Sequence, residues 1–164
     1  MESNVKSKTK THKAALAALE RTCSKMERTK SDARRYLYKY GILGDEAENI
    51  IKKLEADKYI DESRYSDCFV REKINLQMWS KRRIAQTLLL KNIPKKIIDN
   101  AIENNYKEEV EEENLSTILK KRLKKCDKKD DIYTIRRKLF TYVANKGYDI
   151  DLINDTLNDI LKDE

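Results

Sequence analysis

The chain has 164 residues, of which 40% are charged, and 36 Lys and Arg outweigh 29 Asp and Glu to give a net charge of +7. No apolar run approaches the roughly 20 residues of a membrane-spanning helix, so the sequence predicts a soluble, cytoplasmic protein. Three Gly and one Pro leave few turn residues for β-hairpins, and the abundant Lys, Glu, Leu, Ile and Ala favour helices. Composition therefore predicts an all-α fold.

Residues 1–12 are basic, and beyond Met1 they contain only one large apolar residue, Val5. This composition is typical of a flexible tail. Such a tail fits a solvated leader and a nucleic-acid contact equally well. The first folded segment is expected to begin at residue 13.

From Ala14 onward, apolar residues recur at helical spacing. A first repeat is predicted over residues 13–60, with helices near 13–27, 31–40 and 45–57. Ser31 is expected to cap the second helix, Gly41 to stop it, and Asp45 to open the third.

The same pattern continues in two further units. A second repeat over residues 61–106 has helices predicted near 62–78, 81–91 and 94–104. Asp61 and Ser80 suit N-caps, and Pro94 suits the first turn of a helix, where its missing N–H costs nothing. A third repeat over residues 107–164 has helices predicted near 108–125, 130–146 and 150–162, with Asp130 near one start and Gly147 just beyond one end.

Apolar anchors support the repeat. The anchors of the three units are, in order, Ala33, Leu37, Ile42 and Ile51; Ile84, Leu88, Ile93 and Ile102; and Leu139, Val143, Tyr148 and Leu157. They recur every 51 to 55 residues. A unit of this size cannot bury a generous core alone, so the sequence predicts an elongated, curved array of three tandem three-helix repeats.

The chain lacks the residue patterns of an active site. His12 is the single histidine, the three Cys are widely separated, and no Gly-rich segment ends in the Gly-Lys-Ser/Thr of a phosphate loop. Asp61 and Glu62 are better explained by capping of the following helix than by metal binding. The sequence predicts a protein without catalytic residues, metal or cofactor.

Basic clusters are the candidate binding residues. Two clusters stand just before matching apolar anchors, and a third group lies between them: Lys81, Arg82 and Arg83; Arg136, Arg137 and Lys138; and Lys121 with Arg122. Arg grips a carboxylate or a phosphate through two N–H groups, so an acidic protein surface or a DNA backbone fits these clusters. The alternative is that they are solvated helix faces.

Aromatic residues are assigned to packing. Tyr36 and Tyr40 lie four residues apart beside Leu37, so they are expected to cover the core rather than to stack on bases. Trp79 is expected to pack at a junction between helices, with a partner hot spot as the alternative.

Residues 54–102 carry the most specific pattern in the chain. Its elements are a turn at Tyr59, Ile60 and Asp61; a helix with Arg64, Tyr65, Phe69, Val70 and Arg71; and a basic helix with Arg82, Arg83, Ile84, Leu88 and Ile93. This pattern resembles the central motif of the RecX family of recombinase regulators. The chain departs from the motif at Lys58, where Gly is usual, at Glu62, where Asp is usual, and at Met78–Ser80, where a Gly-containing turn is common.

The resemblance implies a non-enzymatic monomer whose curved body lies along the groove of a RecA recombinase filament on single-stranded DNA. It implies inhibition of ATP turnover, filament growth or strand exchange, and so a role in recombination and DNA repair. Arg64 and Arg71 join the basic clusters as candidate partner- or DNA-binding residues. A general DNA-binding helical repeat protein acting through phosphate contacts is the alternative function, and a scaffold unrelated to DNA is a third.

Overall fold

The computed structural model describes residues 2–127 and 129–162, with the side chains of residues 12–107, 109–127 and 129–162. The described residues form nine α-helices and no β-strand. The fold is therefore all-α, as predicted. None of the described helices has an apolar stretch long enough to span a membrane.

Repeat 1 consists of α1 (Glu2–Cys23), α2 (Lys30–Tyr38) and α3 (Gly44–Ala56). Because α1 begins at Glu2, residues 2–12 lie in a helix and not in the flexible tail that the sequence predicts for residues 1–12.

Thr29, not Ser31, caps α2, so the prediction of Ser31 as N-cap is wrong. The Thr29 hydroxyl accepts a hydrogen bond from the Asp32 backbone N–H at 3.0 Å, and the Asp32 carboxylate accepts one from the Thr29 N–H at 3.3 Å. This reciprocal capping box satisfies two N–H groups, whereas Ser31 already lies in the first turn of the helix. The next helix, α3, starts at Gly44, and Asp45 lies in its first turn, where a carboxylate is favourable.

Repeat 2 consists of α4 (Glu62–Asn75), α5 (Lys81–Leu90) and α6 (Lys95–Asn105). Both predicted N-caps are confirmed. The Asp61 carboxylate accepts hydrogen bonds from the backbone N–H groups of Ser63 and Arg64, at 2.9 and 3.0 Å. The Ser80 hydroxyl accepts one from the Arg83 N–H at 3.2 Å. Pro94 stands directly before α6.

Repeat 3 consists of α7 (Glu108–Leu123), α8 (Ile132–Ala144) and α9 (Ile150–Lys162). The N-cap of α8 is Asp131, next to the predicted Asp130, and its carboxylate accepts a hydrogen bond from the Thr134 N–H at 2.9 Å. Asp130 instead forms an ion pair with Lys138.

Each repeat has its own buried cluster, and the apolar anchors lie in these clusters. Ala33, Leu37 and Ile42 are buried in repeat 1, Ile84, Leu88 and Ile93 in repeat 2, and Leu139, Val143 and Tyr148 in repeat 3. The structure is thus an array of three small cores, each closed by three helices.

The turn after the middle helix has the same geometry in all three repeats. Gly41, Asn92 and Gly147 have φ angles of 69°, 60° and 86° and stand directly before the third anchor of each repeat. A left-handed residue at this place ends the helix and returns the chain toward the core. Gly and Asn are the residues that adopt this conformation most readily.

The two junctions between repeats use one common device. The first backbone N–H of the middle helix donates to a glutamate on the first helix of the following repeat. In the first junction the Lys30 N–H donates to Glu62 at 3.2 Å, and in the second the Lys81 N–H donates to Glu111 at 3.0 Å. Because the first N–H groups of a helix have no partner within it, the glutamates satisfy them and join neighbouring repeats.

Candidate functional site

Of the basic cluster at the start of α5, Lys81 and Arg83 make contacts within the protein, and Arg82 is exposed to solvent. The Arg83 guanidinium lies 4.0 Å from the centroid of the Trp79 ring and donates to the Asn145 carbonyl of repeat 3. The Lys81 ammonium lies 5.4 Å from the centroid of the Tyr106 ring. Arg82 is exposed and has no ion-pair partner within the described part of the chain. Arg82 is therefore the residue of this cluster that is best placed to meet a partner.

The cluster at the start of α8 is divided in the same way. Arg136 donates to the side-chain oxygens of Asn158 and Asn154 at 2.9 and 3.2 Å. Lys138 pairs with Asp130 at 2.6 Å, and this hydrogen bond raises the pKa of Lys138. Arg137 is exposed, and the described residues offer it no ion-pair partner.

Arg82 and Arg137 are equivalent residues of neighbouring repeats. Each stands two positions before a fully buried anchor, Ile84 or Leu139. The buried anchor fixes the rotation of its helix about the helix axis. Both arginine side chains therefore point into solvent at equivalent positions of their repeats. Repeats 2 and 3 thus present an exposed guanidinium at an equivalent position, and neither has an ion-pair partner among the described residues.

The third group of cations lines a pocket where repeats 2 and 3 meet. Lys121, Arg122 and Lys125 of α7 and its C-terminal end lie beside Tyr142 and Lys146, around a volume of about 240 Å³. We call these five residues the basic pocket. The sequence predicts Lys121 and Arg122 as binding residues, but it does not single out Tyr142 or Lys146. Their four-residue spacing at the end of α8 is the only local signal.

Two cations of the basic pocket, Arg122 and Lys146, are held by contacts within the protein. Arg122 and Lys146 lie 4.9 and 5.6 Å from the centroid of the Tyr142 ring. The Lys146 ammonium also donates to the Gln77 carbonyl of repeat 2 at 2.5 Å. Burial, followed by the charge of Arg83, lowers the pKa of Lys146. The pocket therefore contains a cation that is only partly hydrated.

Arg64 and Arg71 are bound within the protein. Arg64 pairs with Glu27 of repeat 1 at 2.5 Å, which raises the pKa of the guanidinium. Arg71 donates to Asn105 at 3.3 Å and to the Cys68 sulfur at 3.4 Å. The structure does not bring these two arginines together with the basic pocket.

Tyr36 and Trp79 pack as the sequence predicts, whereas Tyr40 is 46% exposed and is not among the side chains that pack against the repeat 1 core. The Tyr36 and Tyr40 hydroxyls are 3.1 Å apart beside the repeat 1 core. Trp79 packs edge-on against Phe69 near the second junction, and its carbonyl accepts a hydrogen bond from Tyr106 at 2.9 Å. In the described part of the chain, no group of three His, Cys, Asp or Glu side chains is placed to hold a metal ion.

Comparison with known proteins finds similarity to RecX proteins. Residues 61–102, which are repeat 2 without its last turn, match the family described as RecX, second three-helix domain. The chain is 30% identical over 105 residues to the regulatory protein RecX of Finegoldia magna, covering 64% of this chain and 51% of that protein. It is 28% identical over 156 residues to the regulatory protein RecX of Clostridium botulinum (strain Eklund 17B), covering 94% of this chain and 70% of that protein.

The chain is therefore similar to RecX proteins, most specifically through its second three-helix repeat. Solved RecX structures have the same fold: a crystal structure of regulatory protein RecX superposes with a TM-score of 0.78 at 23% identity, covering 96% of this chain and 76% of that one. RecX from Lactobacillus salivarius superposes with a TM-score of 0.75 at 22% identity, covering 92% and 97%. The chain spans from about half to 70% of the length of the first two RecX relatives. Their names describe regulators, which agrees with the prediction of a non-enzymatic protein.

Two of the three departures from the RecX motif fall at strained backbone positions. Lys58, which replaces the usual Gly, has a φ of 58°, and Met78, where a Gly-containing turn is common, has a φ of 48°. Both values lie in the left-handed region, which costs a residue with a Cβ about 1–2 kcal/mol. The third departure, Glu62, uses its longer side chain to reach the Lys30 N–H in the first junction.

Proposed function

We propose that this chain is a RecX protein that binds RecA recombinase filaments on single-stranded DNA and inhibits recombinase activity. Inhibition would act on ATP turnover, filament growth or strand exchange, and would modulate recombination and DNA repair. The chain would act in the cytoplasm as a monomer and without a cofactor. The family resemblance supports the choice of RecA as partner.

The observation that carries the proposal is the pair of exposed arginines Arg82 and Arg137. A filament is itself a repeated structure, so a ligand that follows it gains from presenting the same group at a regular interval. Two guanidinium groups on equivalent helices of adjacent repeats meet this requirement. Each can grip a carboxylate of the recombinase or a phosphate of its DNA through two N–H groups.

The net charge of +7 supports the same function. A positive surface accelerates the encounter with a negatively charged filament, and this acceleration weakens as salt is added. The same charge supports the alternative function, a general DNA-binding repeat protein, so the experiment must separate the two.

The test is ATP hydrolysis by the cognate RecA on single-stranded DNA, titrated with this protein, with binding to bare DNA measured in parallel. Loss of hydrolysis at protein concentrations too low to coat the DNA supports the proposal. Loss of hydrolysis only when the DNA is saturated favours the general DNA binder, and unaffected hydrolysis contradicts the proposal.

A variant sharpens this test. Arg82→Glu combined with Arg137→Glu should raise the concentration for half-inhibition by about tenfold, since two surface contacts of roughly 0.7 kcal/mol each are lost. Arg83 and Arg136 stay unchanged, because their bonds to Asn145, Asn154 and Asn158 hold the fold.

The matched control is Lys52→Glu combined with Lys53→Glu. Both lysines are exposed on α3 of repeat 1, and their reversal changes the net charge by the same amount. Inhibition by the control variant should stay near that of the wild type. Equal loss in both variants would mean that overall charge, and not the position of Arg82 and Arg137, governs inhibition.

A further inference from the structure

The basic pocket carries more positive charge than its own neighbours balance. Lys121, Arg122, Lys125 and Lys146 contribute four cations, and no Asp or Glu is among the described residues that line it. Four like charges around about 240 Å³ repel one another, more strongly where Lys146 is shielded from water. An anion placed among them would remove this repulsion.

Two other pockets show that this imbalance is specific. A pocket of about 540 Å³ between α6 and α7 places Lys81 and Lys107 with Asp99, Glu103 and Glu109. A pocket of about 400 Å³ at the first junction combines cations with Glu27, Asp32 and Glu72 in the same way. In these two pockets carboxylates balance the positive charges, whereas no carboxylate lines the described part of the basic pocket.

The basic pocket also offers an aromatic surface. The Tyr142 side chain is 39% exposed, and Leu76 on the rim is 78% exposed. A ligand with an anionic group next to a flat ring would contact the cations with the anion and the apolar surface with the ring. A single-stranded nucleic acid combines these features, because each phosphate is followed by a base whose face is free to stack.

We propose that the basic pocket binds a phosphodiester of a single-stranded nucleic acid, with a neighbouring base against Tyr142. The strand crosses the junction of repeats 2 and 3, because α7 and the turn after it supply three cations while the Gln77 carbonyl of repeat 2 accepts a hydrogen bond from the fourth, Lys146. The inference deepens the proposed function by naming a contact with nucleic acid that the protein makes itself.

An acidic peptide fits the site less well. One carboxylate brings a single charge and no planar ring, and successive carboxylates on a helix or strand cannot all reach one pocket of this size. A phosphodiester chain brings regularly spaced charges and a base beside each one. A duplex is disfavoured because its bases are already stacked on one another.

The test is fluorescence anisotropy of a labelled oligo-dT with the full chain and no recombinase. Lys121→Gln combined with Lys125→Gln should weaken binding about tenfold and shrink the log–log salt slope by about 0.7 for each phosphate contact removed. Lys52→Gln combined with Lys53→Gln is the matched control, because these lysines are also exposed and lie on α3. Equal binding by the two variants would overturn the proposal.

Tyr142 provides the second measurement. Tyr142→Ala should weaken oligo-dT binding about fivefold or more, and Tyr142→Phe should restore it, because stacking needs the ring and not the hydroxyl. The ring is 39% exposed, so its removal leaves the repeat 3 core intact, which far-UV circular dichroism checks. Equal loss in Tyr142→Phe and Tyr142→Ala would overturn the assignment of the base.

Competitors identify the chemistry of the ligand. Oligo-rU that competes as well as oligo-dT indicates recognition of the shared phosphodiester, and weaker competition identifies DNA as the source. Polyglutamate of equal charge, or a duplex, that competes as well as oligo-dT would overturn the proposal.

The two proposals fail separately. A protein that inhibits RecA but binds no oligonucleotide refutes only the pocket inference. A protein that binds oligo-dT through the pocket but leaves RecA unaffected refutes only the proposed function.

Discussion

Gly147, at the junction of repeats 2 and 3, lies where both the backbone conformation and the close packing disfavour a side chain. Its φ is 86°, and a Cβ placed there would lie 2.7 Å from the Arg83 Cβ and 2.8 Å from the Ser80 Oγ. Gly41 occupies the equivalent turn of repeat 1 with a φ of 69°, but a Cβ there would meet nothing within 4 Å. The two glycines therefore share the backbone requirement and differ in packing.

This pair allows the cost of junction packing to be measured. Gly41→Ala should destabilise the protein by about 1–2 kcal/mol, the cost of a left-handed residue with a Cβ. Gly147→Ala should cost this amount and about 1–3 kcal/mol more for overpacking, a total of about 2–5 kcal/mol. Both variants lose the same chain entropy in the unfolded state, so their difference isolates the contact with Arg83 and Ser80.

The extra contact cannot be relieved by a simple side-chain rotation. Ser80 is buried, and its hydroxyl already accepts the hydrogen bond that caps α5. The Arg83 Cβ is attached directly to that helix. An alanine at position 147 would therefore push repeat 3 away from α5 and weaken the hydrogen bond between the Ser80 N–H and the Lys146 carbonyl, which is 3.2 Å long.

Urea unfolding followed by circular dichroism measures the loss, and fluorescence of the single tryptophan, Trp79, reports on the junction itself. For a chain of this length, each kcal/mol corresponds to about 2–4 °C in Tm. The fluorescence transition of Gly147→Ala should move to lower urea than that of Gly41→Ala. A Gly147→Ala variant no less stable than Gly41→Ala would refute the reasoning.

Two further predictions concern acid stability and a turn. Burial raises the pKa of Asp32, but the charge of Lys91 and hydrogen bonds from Thr29 outweigh it, so the pKa lies below its usual value. The stabilisation is therefore present above the unfolded pKa of about 3.9 and is lost as pH falls through the lower folded pKa. In urea titrations, Asp32→Asn should be less stable than wild type at neutral pH, and the two should converge in acid; a constant gap would contradict this origin. Lys58→Gly should stabilise the protein by about 0.5 kcal/mol, because relief of the left-handed strain exceeds the entropy that Gly adds to the unfolded chain. A lower urea midpoint for Lys58→Gly would show that the strain is absent.

The basic clusters show where sequence reasoning about binding residues stops. Lys81, Arg82 and Arg83 look alike in the sequence, but Arg82 is exposed, whereas Lys81 and Arg83 are half-buried and lie over the rings of Tyr106 and Trp79. The Arg83 guanidinium lies over the Trp79 ring and donates a hydrogen bond to the Asn145 carbonyl of the next repeat, 62 positions away. A cation's partners are set by residues distant in the chain, so local pattern cannot distinguish a binding arginine from a structural one.

The sequence by itself determined the helices and their repetition. Helical periodicity and short-range capping act within a few residues, so Asp61 and Ser80 were identified as N-caps and the anchors from Ala33 to Tyr148 as core. The RecX motif also lies in one continuous stretch. These features need no knowledge of which repeat touches which.

Only the tertiary structure decided how the repeats are joined and where their charges gather. The glutamates that satisfy the Lys30 and Lys81 N–H groups come from helices about 30 residues further along the chain. The basic pocket forms because folding brings the end of α7 beside Tyr142 of α8 and Lys146 of the turn that follows α8. Lys121, Arg122 and Lys125 are neighbours in the sequence, but Tyr142 and Lys146 join them only in the folded chain, so the pocket itself is not visible in the sequence.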